Sequence, residues 1–157
     1  MNRIIDGIDA ISTASHLNGH VECQTPGGWE DWLQVELHRW LLQQPWPVNI
    51  GREVHCYTAP NAAQKCDLTL GNMVVELKAM GLGRPSAAFV TLVINDKAKI
   101  LQGRVMPFTT AGLAVVIPNI PNNIGLGIQC ATARNNANIA SGISVPTTCG
   151  CYQIYIF

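Results

Sequence analysis

No apolar run in this chain approaches the roughly 20 residues that carry a helix across a bilayer. The opening Met1-Asn2-Arg3-Ile4-Ile5-Asp6 has neither the long apolar segment nor the small-residue cleavage site of a secretory signal. The expectation is a protein that acts in a cytoplasm and engages no membrane, delivery from a longer precursor staying open. CxxC pairs are missing too, and Cys149-Gly150-Cys151 is too tight for a zinc knuckle. The six cysteines, Cys23, Cys56, Cys66, Cys130, Cys149 and Cys151, are therefore expected as reduced, packed thiols. A Cys56–Cys66 disulfide is the alternative, since both fall on neighbouring predicted strands. The four histidines make no metal-spaced cluster: His16 and His20 lie four apart, but Asn18-Gly19 interrupts the helix that would align them. There is no internal repeat and no low-complexity tail.

Charge is scarce, at 13% of residues with a net of zero, which suits a polyanion binder poorly. Its distribution is less neutral. All ten acidic residues occur by Asp96, whereas residues 97–157 hold Lys97, Lys99, Arg104 and Arg134 without a carboxylate, so the two segments carry formal charges of −4 and +4. A basic half beside an acidic centre would hold a phosphate backbone on one side of a cleft; a scattered surface pattern is the alternative. With 157 residues, 48% of them apolar, the chain is most simply one domain with a sizeable core.

Periodicity predicts a helix over about residues 3–15, a polar link, and a tryptophan-rich amphipathic helix over Trp29–Gln44 that Pro45 and Pro47 stop. Strands are predicted at Asn49–Thr58 and on either side of Gly71-Asn72. Phe89–Ile94 is apolar and β-branched, and Asp96–Val105 reads as a crossover helix. Ala111–Ile117 reads as a buried strand, Pro118–Gly127 as a loop, Asn135–Ser141 as a short helix, and Tyr152–Phe157 as a C-terminal edge strand.

The stretch from Cys66 to Lys78 is the most specific. Gly at the first position of a two-residue loop suits a type II′ turn, which sets Leu70 opposite Met73, Thr69 opposite Val74, Leu68 opposite Val75 and Asp67 opposite Glu76. Lys78 projects from the same face as Glu76. Two opposed carboxylates resist ionising together unless something positive lies between them. A divalent cation with hard oxygen ligands answers that need, and a lysine beside it can orient a water or neutralise a phosphate. Glu36 also stands out, because Trp32, Leu33 and Trp40 surround it at helical spacing. It is either aimed at the hairpin as a metal-site ligand or a boundary residue paired with Arg39. Glu30 and Asp31, in the first turn, complement the helix dipole.

Asp67 followed by Glu76-Leu77-Lys78 resembles the signature of the PD-(D/E)xK phosphodiesterase superfamily, the restriction-endonuclease-like fold, with Cys66 in place of the signature's proline. The resemblance covers roughly residues 28–117 and implies an α/β (α+β) fold: an αβββαβ core in which a central mixed sheet is flanked by helices. Residues 118–157 are left as decoration with an extra C-terminal edge strand. It further implies an endonuclease holding Mg²⁺ or Mn²⁺ through Asp67, Glu76 and the Leu77 carbonyl. Lys78 positions the attacking water and Glu36 assists. Lys97, in preference to Lys99, and Arg84 meet substrate phosphates, with Glu53 as a supporting carboxylate. Implied partners are nucleic acid, DNA ahead of RNA, a second copy of the chain for duplex cleavage, and an immunity or other partner protein if this is a toxin or defence nuclease. An RNA-cleaving toxin domain and a non-catalytic nucleic-acid-binding or assembly module are the alternatives.

Overall fold

The computed structural model describes residues 1–14, 29–81, 83–120, 124–137 and 142–157. Helix α1 spans Asn2–Ala14 and α2 Trp29–Leu42. The predicted link between them, with His16, His20 and Cys23, lies outside the described residues. Three strands follow, β1 (Ile50–His55), β2 (Lys65–Leu70) and β3 (Met73–Ala79), then α3 (Ser86–Ile100) and β4 (Thr110–Pro118). Helix α4 (Ile124–Ala137), β5 (Ile143–Pro146) and β6 (Tyr152–Ile156) complete the set.

The strands form one six-stranded mixed sheet in the order β1-β2-β3-β4-β6-β5. β1, β2 and β3 run antiparallel, β4 lies parallel to β3, and β6 is antiparallel to both β4 and β5. Parallel neighbours need a crossover, and α3 supplies it. Side chains of β3 and β4 alternate across the sheet. Val75, Leu77 and Ala79 of β3 and Ala114 and Val116 of β4 pack with Ile4 and Ile8 of α1 and Leu33, Leu37 and Leu41 of α2. Leu113, Val115 and Ile117 point the other way, onto Phe89 and Val93 of α3 and Cys130 and Ala133 of α4. The fold is thus α+β with helices on both sheet faces, and each fully buried Leu or Ile contributes about 1.5–3 kcal/mol of apolar transfer. Where α1 crosses α2, a Cβ on Gly7 would come 2.5 Å from Leu37 Cδ1, so only glycine permits that approach.

The Gly71-Asn72 turn has the expected form. Gly71 sits at φ 58° while Asn72 keeps negative φ, and Leu70↔Met73, Thr69↔Val74 and Leu68↔Val75 pair as predicted. Other expectations need correction. Phe89–Ile94 and the crossover helix are one element, α3, because Phe89, Val93 and Ile100 bury one helical face despite their β-branched neighbours. That helix ends at Ile100 rather than Val105: Leu101 caps it, and Arg104 Nη1 donates to Ile100 O at 2.6 Å. The predicted loop 118–127 and helix 135–141 are shifted, since α4 starts at Ile124 and buries Cys130, Ala133 and Ala137; residues 138–141 lie outside the described ones. β6 is not an edge strand. It lies between β4 and β5 with Ile154 fully buried, and β5 is the edge.

Among the described residues no helix is long and apolar enough to cross a membrane. Cys56, Cys66, Cys130, Cys149 and Cys151 are free, with Cys56 and Cys66 hydrogen-bonded thiols.

Candidate functional site

Asp67, Glu76 and Lys78 meet where β2 parts from β3. The Leu68↔Val75 pair is the last in register, and beyond it the Asp67 side chain replaces the ladder: its Oδ2 accepts the Leu77 N–H at 2.6 Å. The expected Asp67–Glu76 pairing is thereby altered, because Asp67 turns its carboxylate onto the backbone of the facing strand. Gln34 of α2 donates from Nε2 to Asp67 Oδ1 at 3.2 Å and to Asp67 O at 3.1 Å, and Gln34 Oε1 accepts from Arg52 Nη1 at 3.2 Å. Among the described residues, the donors on the Asp67 carboxylate are therefore neutral. Burial, then the nearby Glu76 carboxylate, raise its pKa to about 7 against the pull of the Leu77 N–H.

Glu76 is held differently. Lys99 of α3 places Nζ 2.8 Å from its Oε1, and the buried Tyr57 hydroxyl donates to the same oxygen. Lys99 Nζ also donates to Lys65 O at 3.1 Å and lies 5.0 Å from the Tyr57 ring centre. Burial raises the Glu76 pKa, opposed by Lys99 and Tyr57, and burial followed by the Glu76 contact raises that of Tyr57. Lys78, one face-repeat further along β3, pairs with Glu30 Oε1 at 2.8 Å and Asp96 Oδ2 at 3.1 Å. Glu30 Oε2 accepts the Ala79 N–H at 3.0 Å. Burial works to lower the Lys78 pKa, but Glu30 and Asp96 outweigh it and the net shift is upward. Lys78 is accordingly a firm cation at neutral pH. It can orient a water or stabilise an anion but is a poor proton acceptor.

Glu30, Gln34, Tyr57 and Asp96, which the sequence did not single out for the site, complete it together with Lys99. Helix geometry explains most of the difference. Glu30 and Gln34 share the buried face of α2 with Leu37 and Leu41, whereas Glu36 is turned about 200° from Gln34. Glu36 therefore faces α1, lining a groove with Ile11, Trp32 and Trp40 and pairing with Arg39 at 2.8 Å. Its expected place beside the hairpin is taken by Glu30. On α3, Asp96 and Lys99 are three apart and face the site together, while Lys97 stands over the Phe157 ring at 5.0 Å. Arg84 lies half-buried in the turn between β3 and α3. Glu53, at φ 53°, is exposed and pairs with Arg52 and Lys65 on the outer strand.

The expected basic half does not form one surface. Lys99 serves Glu76, Arg104 caps α3, Arg134 binds the Asn119 side chain, and Lys97 stacks on Phe157. The cations of residues 97–157 are thus spent on separate intramolecular contacts.

Four carboxylates, Glu30, Asp67, Glu76 and Asp96, confront two ammonium groups, Lys78 and Lys99, which leaves a formal excess of two negative charges. Among the described residues no three His, Cys, Asp or Glu side chains gather as metal ligands. The hard oxygens of Asp67 and Glu76 nevertheless suit Mg²⁺ or Mn²⁺, which use one or two carboxylates and retain waters for substrate to replace. The charge excess and the neutral donors on Asp67 fit such an ion. Comparison of the chain with protein-family models, curated proteins and solved structures finds no match.

Proposed function

We propose that this chain is a metal-dependent phosphodiesterase of the PD-(D/E)xK type, acting as an endonuclease with DNA as the favoured substrate. The observation that carries the reading is the convergence of Asp67, Glu76 and Lys78 at the point where β2 and β3 separate, at an excess of negative charge. The run α2-β1-β2-β3-α3-β4, with β4 parallel to β3, supports the same reading, since it reproduces the αβββαβ order the resemblance implies. Asp67, Glu76 and the Leu77 carbonyl would hold Mg²⁺ or Mn²⁺, and the ion would supply Lewis-acid polarisation of the phosphoryl oxygen.

The chain's own residues divide the remaining work. Lys78, kept cationic by Glu30 and Asp96, orients the attacking water and offsets charge that develops on the phosphoryl group. Gln34 and the Leu77 N–H fix the Asp67 carboxylate in one orientation. Tyr57 does the same for Glu76. Arg84 and Lys99 are the cations proposed to meet substrate phosphates. Action in a cytoplasm, pairing with a second copy for duplex cleavage, and an immunity or other partner protein remain part of the proposal.

A second reading has one observation in its favour: Glu76 and Lys78 are both ion-paired already, as in a closed structural network. A nucleic-acid-binding or assembly module would look this way. Incubation of supercoiled plasmid, single-stranded DNA and total RNA with wild-type protein under EDTA, Mg²⁺ or Mn²⁺ separates these readings. Metal-dependent cleavage of DNA is expected, cleavage of RNA alone assigns the RNA-directed alternative, and binding without cleavage of any substrate favours the module.

A further inference from the structure

Glu76 lies close enough to raise the proton affinity of Asp67, yet the two carboxylates meet opposite surroundings. Among the described residues Asp67 accepts from neutral donors, and Glu76 is capped by a full positive charge. That cap is well built. Lys99 is 14% exposed and Glu76 3%, and the ammonium has a second acceptor in Lys65 O as well as the face of Tyr57. It is also the cation in direct contact with Glu76, one of the two carboxylates that would hold a divalent ion. Glu76 Oε1 already accepts from both Lys99 and Tyr57, so a divalent ion taking that oxygen would compete with the ammonium for it.

We propose that Lys99 is a resident counter-ion which occupies Glu76 until a divalent cation displaces it, so that metal loading is an exchange of one cation for another. This inference rests on the phosphodiesterase reading and adds to it a control on when the site is charged with metal. The lysine is suited to the task because its ammonium is a point charge on a flexible four-carbon stem, able to leave Glu76 without moving α3. A phosphate entering the site offers Lys99 another anion and thereby frees Glu76, which makes metal and phosphate binding mutually reinforcing. Lys99 accordingly keeps the Glu76 charge offset in the empty site and makes full metal occupancy conditional on substrate.

The test is a calorimetric titration of Mn²⁺ into wild-type protein, Lys99→Met, Lys99→Gln and Asp67→Asn. Both Lys99 variants are expected to bind Mn²⁺ about tenfold or more tighter than wild type, the scale on which groups around metal ligands act; Asp67→Asn is expected to lose binding. Tight binding by the Lys99 variants with none detectable in wild type also supports the exchange. Unchanged or weaker affinity in the Lys99 variants, with wild-type binding still dependent on Asp67, overturns the counter-ion role and leaves the phosphodiesterase reading standing. No binding by any of the proteins defeats both. Wild-type protein gives a check free of folding effects: Mg²⁺ should shift the Lys99 ammonium resonance in wild type and not in Asp67→Asn, and an unmoved resonance in metal-bound wild type overturns the proposal.

Discussion

Asp67 Oδ2 accepts a hydrogen bond from the Leu77 backbone N–H across 2.6 Å. Through it, the side chain of one strand replaces the main-chain pairing of the next. The contact sets the carboxylate of Asp67 beside a peptide whose two neighbours, Glu76 and Lys78, carry the other charges. A local break in the ladder thus becomes the organising feature of the site.

Asp67 makes the folded chain sensitive to pH in a definite direction. Its folded pKa is raised to about 7 from 3.8, so the folded state binds more protons than the unfolded state between those values. Stability from this group is therefore fully present below about pH 4 and is lost as pH rises through 7. Urea denaturation of Asp67→Asn should show this sloping component removed and stability at pH 8 raised by about 1–2 kcal/mol. Unchanged pH dependence would show that the carboxylate carries no such strain.

Substitution at the Lys99–Glu76 pair should shift stability the other way. Replacing Lys99 with Ala leaves a buried carboxylate with a hydroxyl for company and is expected to cost about 3 kcal/mol at pH 8. Because burial raises the Glu76 pKa, the loss should shrink as pH falls and Glu76 takes up a proton. Chemical denaturation at pH 8 and pH 5 measures both.

At the hairpin tip, Gly71 holds φ 58°. Gly71→Ala should destabilise by about 1 kcal/mol, because the native conformation is strained for any residue with a Cβ. The urea midpoint reports it.

The hairpin was legible before the fold. Gly71-Asn72 set its register as far as Leu68↔Val75, but the turn of Asp67 onto the Leu77 N–H lay beyond what the turn type could fix. Partners from outside the hairpin were harder to read. Glu30 sits in the first turn of α2, where an acidic residue is equally explained by the helix dipole, and Tyr57 follows β1 through a loop that leaves its register unset. The signal that could have found Glu30 and Gln34 was their alignment with Leu37 and Leu41. Glu36 stood out because apolar neighbours surround it, but two of them, Trp32 and Trp40, line the groove against α1. Lys97 and Lys99 could be separated only once Phe89, Val93 and Ile100 fixed the buried face of α3. The four late cations looked like a basic half in one dimension, and folding dispersed them.

Glu30 and Glu36 offer a paired comparison. Glu30→Gln weakens the hold on Lys78 and should lower metal-dependent cleavage at least tenfold, as outer partners of a metal site do. Glu36→Gln, which loosens only an exposed pair with Arg39, should change stability by less than about 1 kcal/mol and leave cleavage near wild type. Initial rates on one substrate and denaturation curves decide both.

The most direct measurement is cleavage by wild type, Asp67→Asn, Glu76→Gln, Lys78→Met and Glu36→Gln, each with EDTA or Mn²⁺ and each confirmed as folded. A metal-dependent phosphodiesterase centred on the β2–β3 break predicts cleavage by wild type and Glu36→Gln with Mn²⁺ alone, and none by the other three. Cleavage in EDTA, or undiminished cleavage by folded Asp67→Asn and Glu76→Gln, would contradict it.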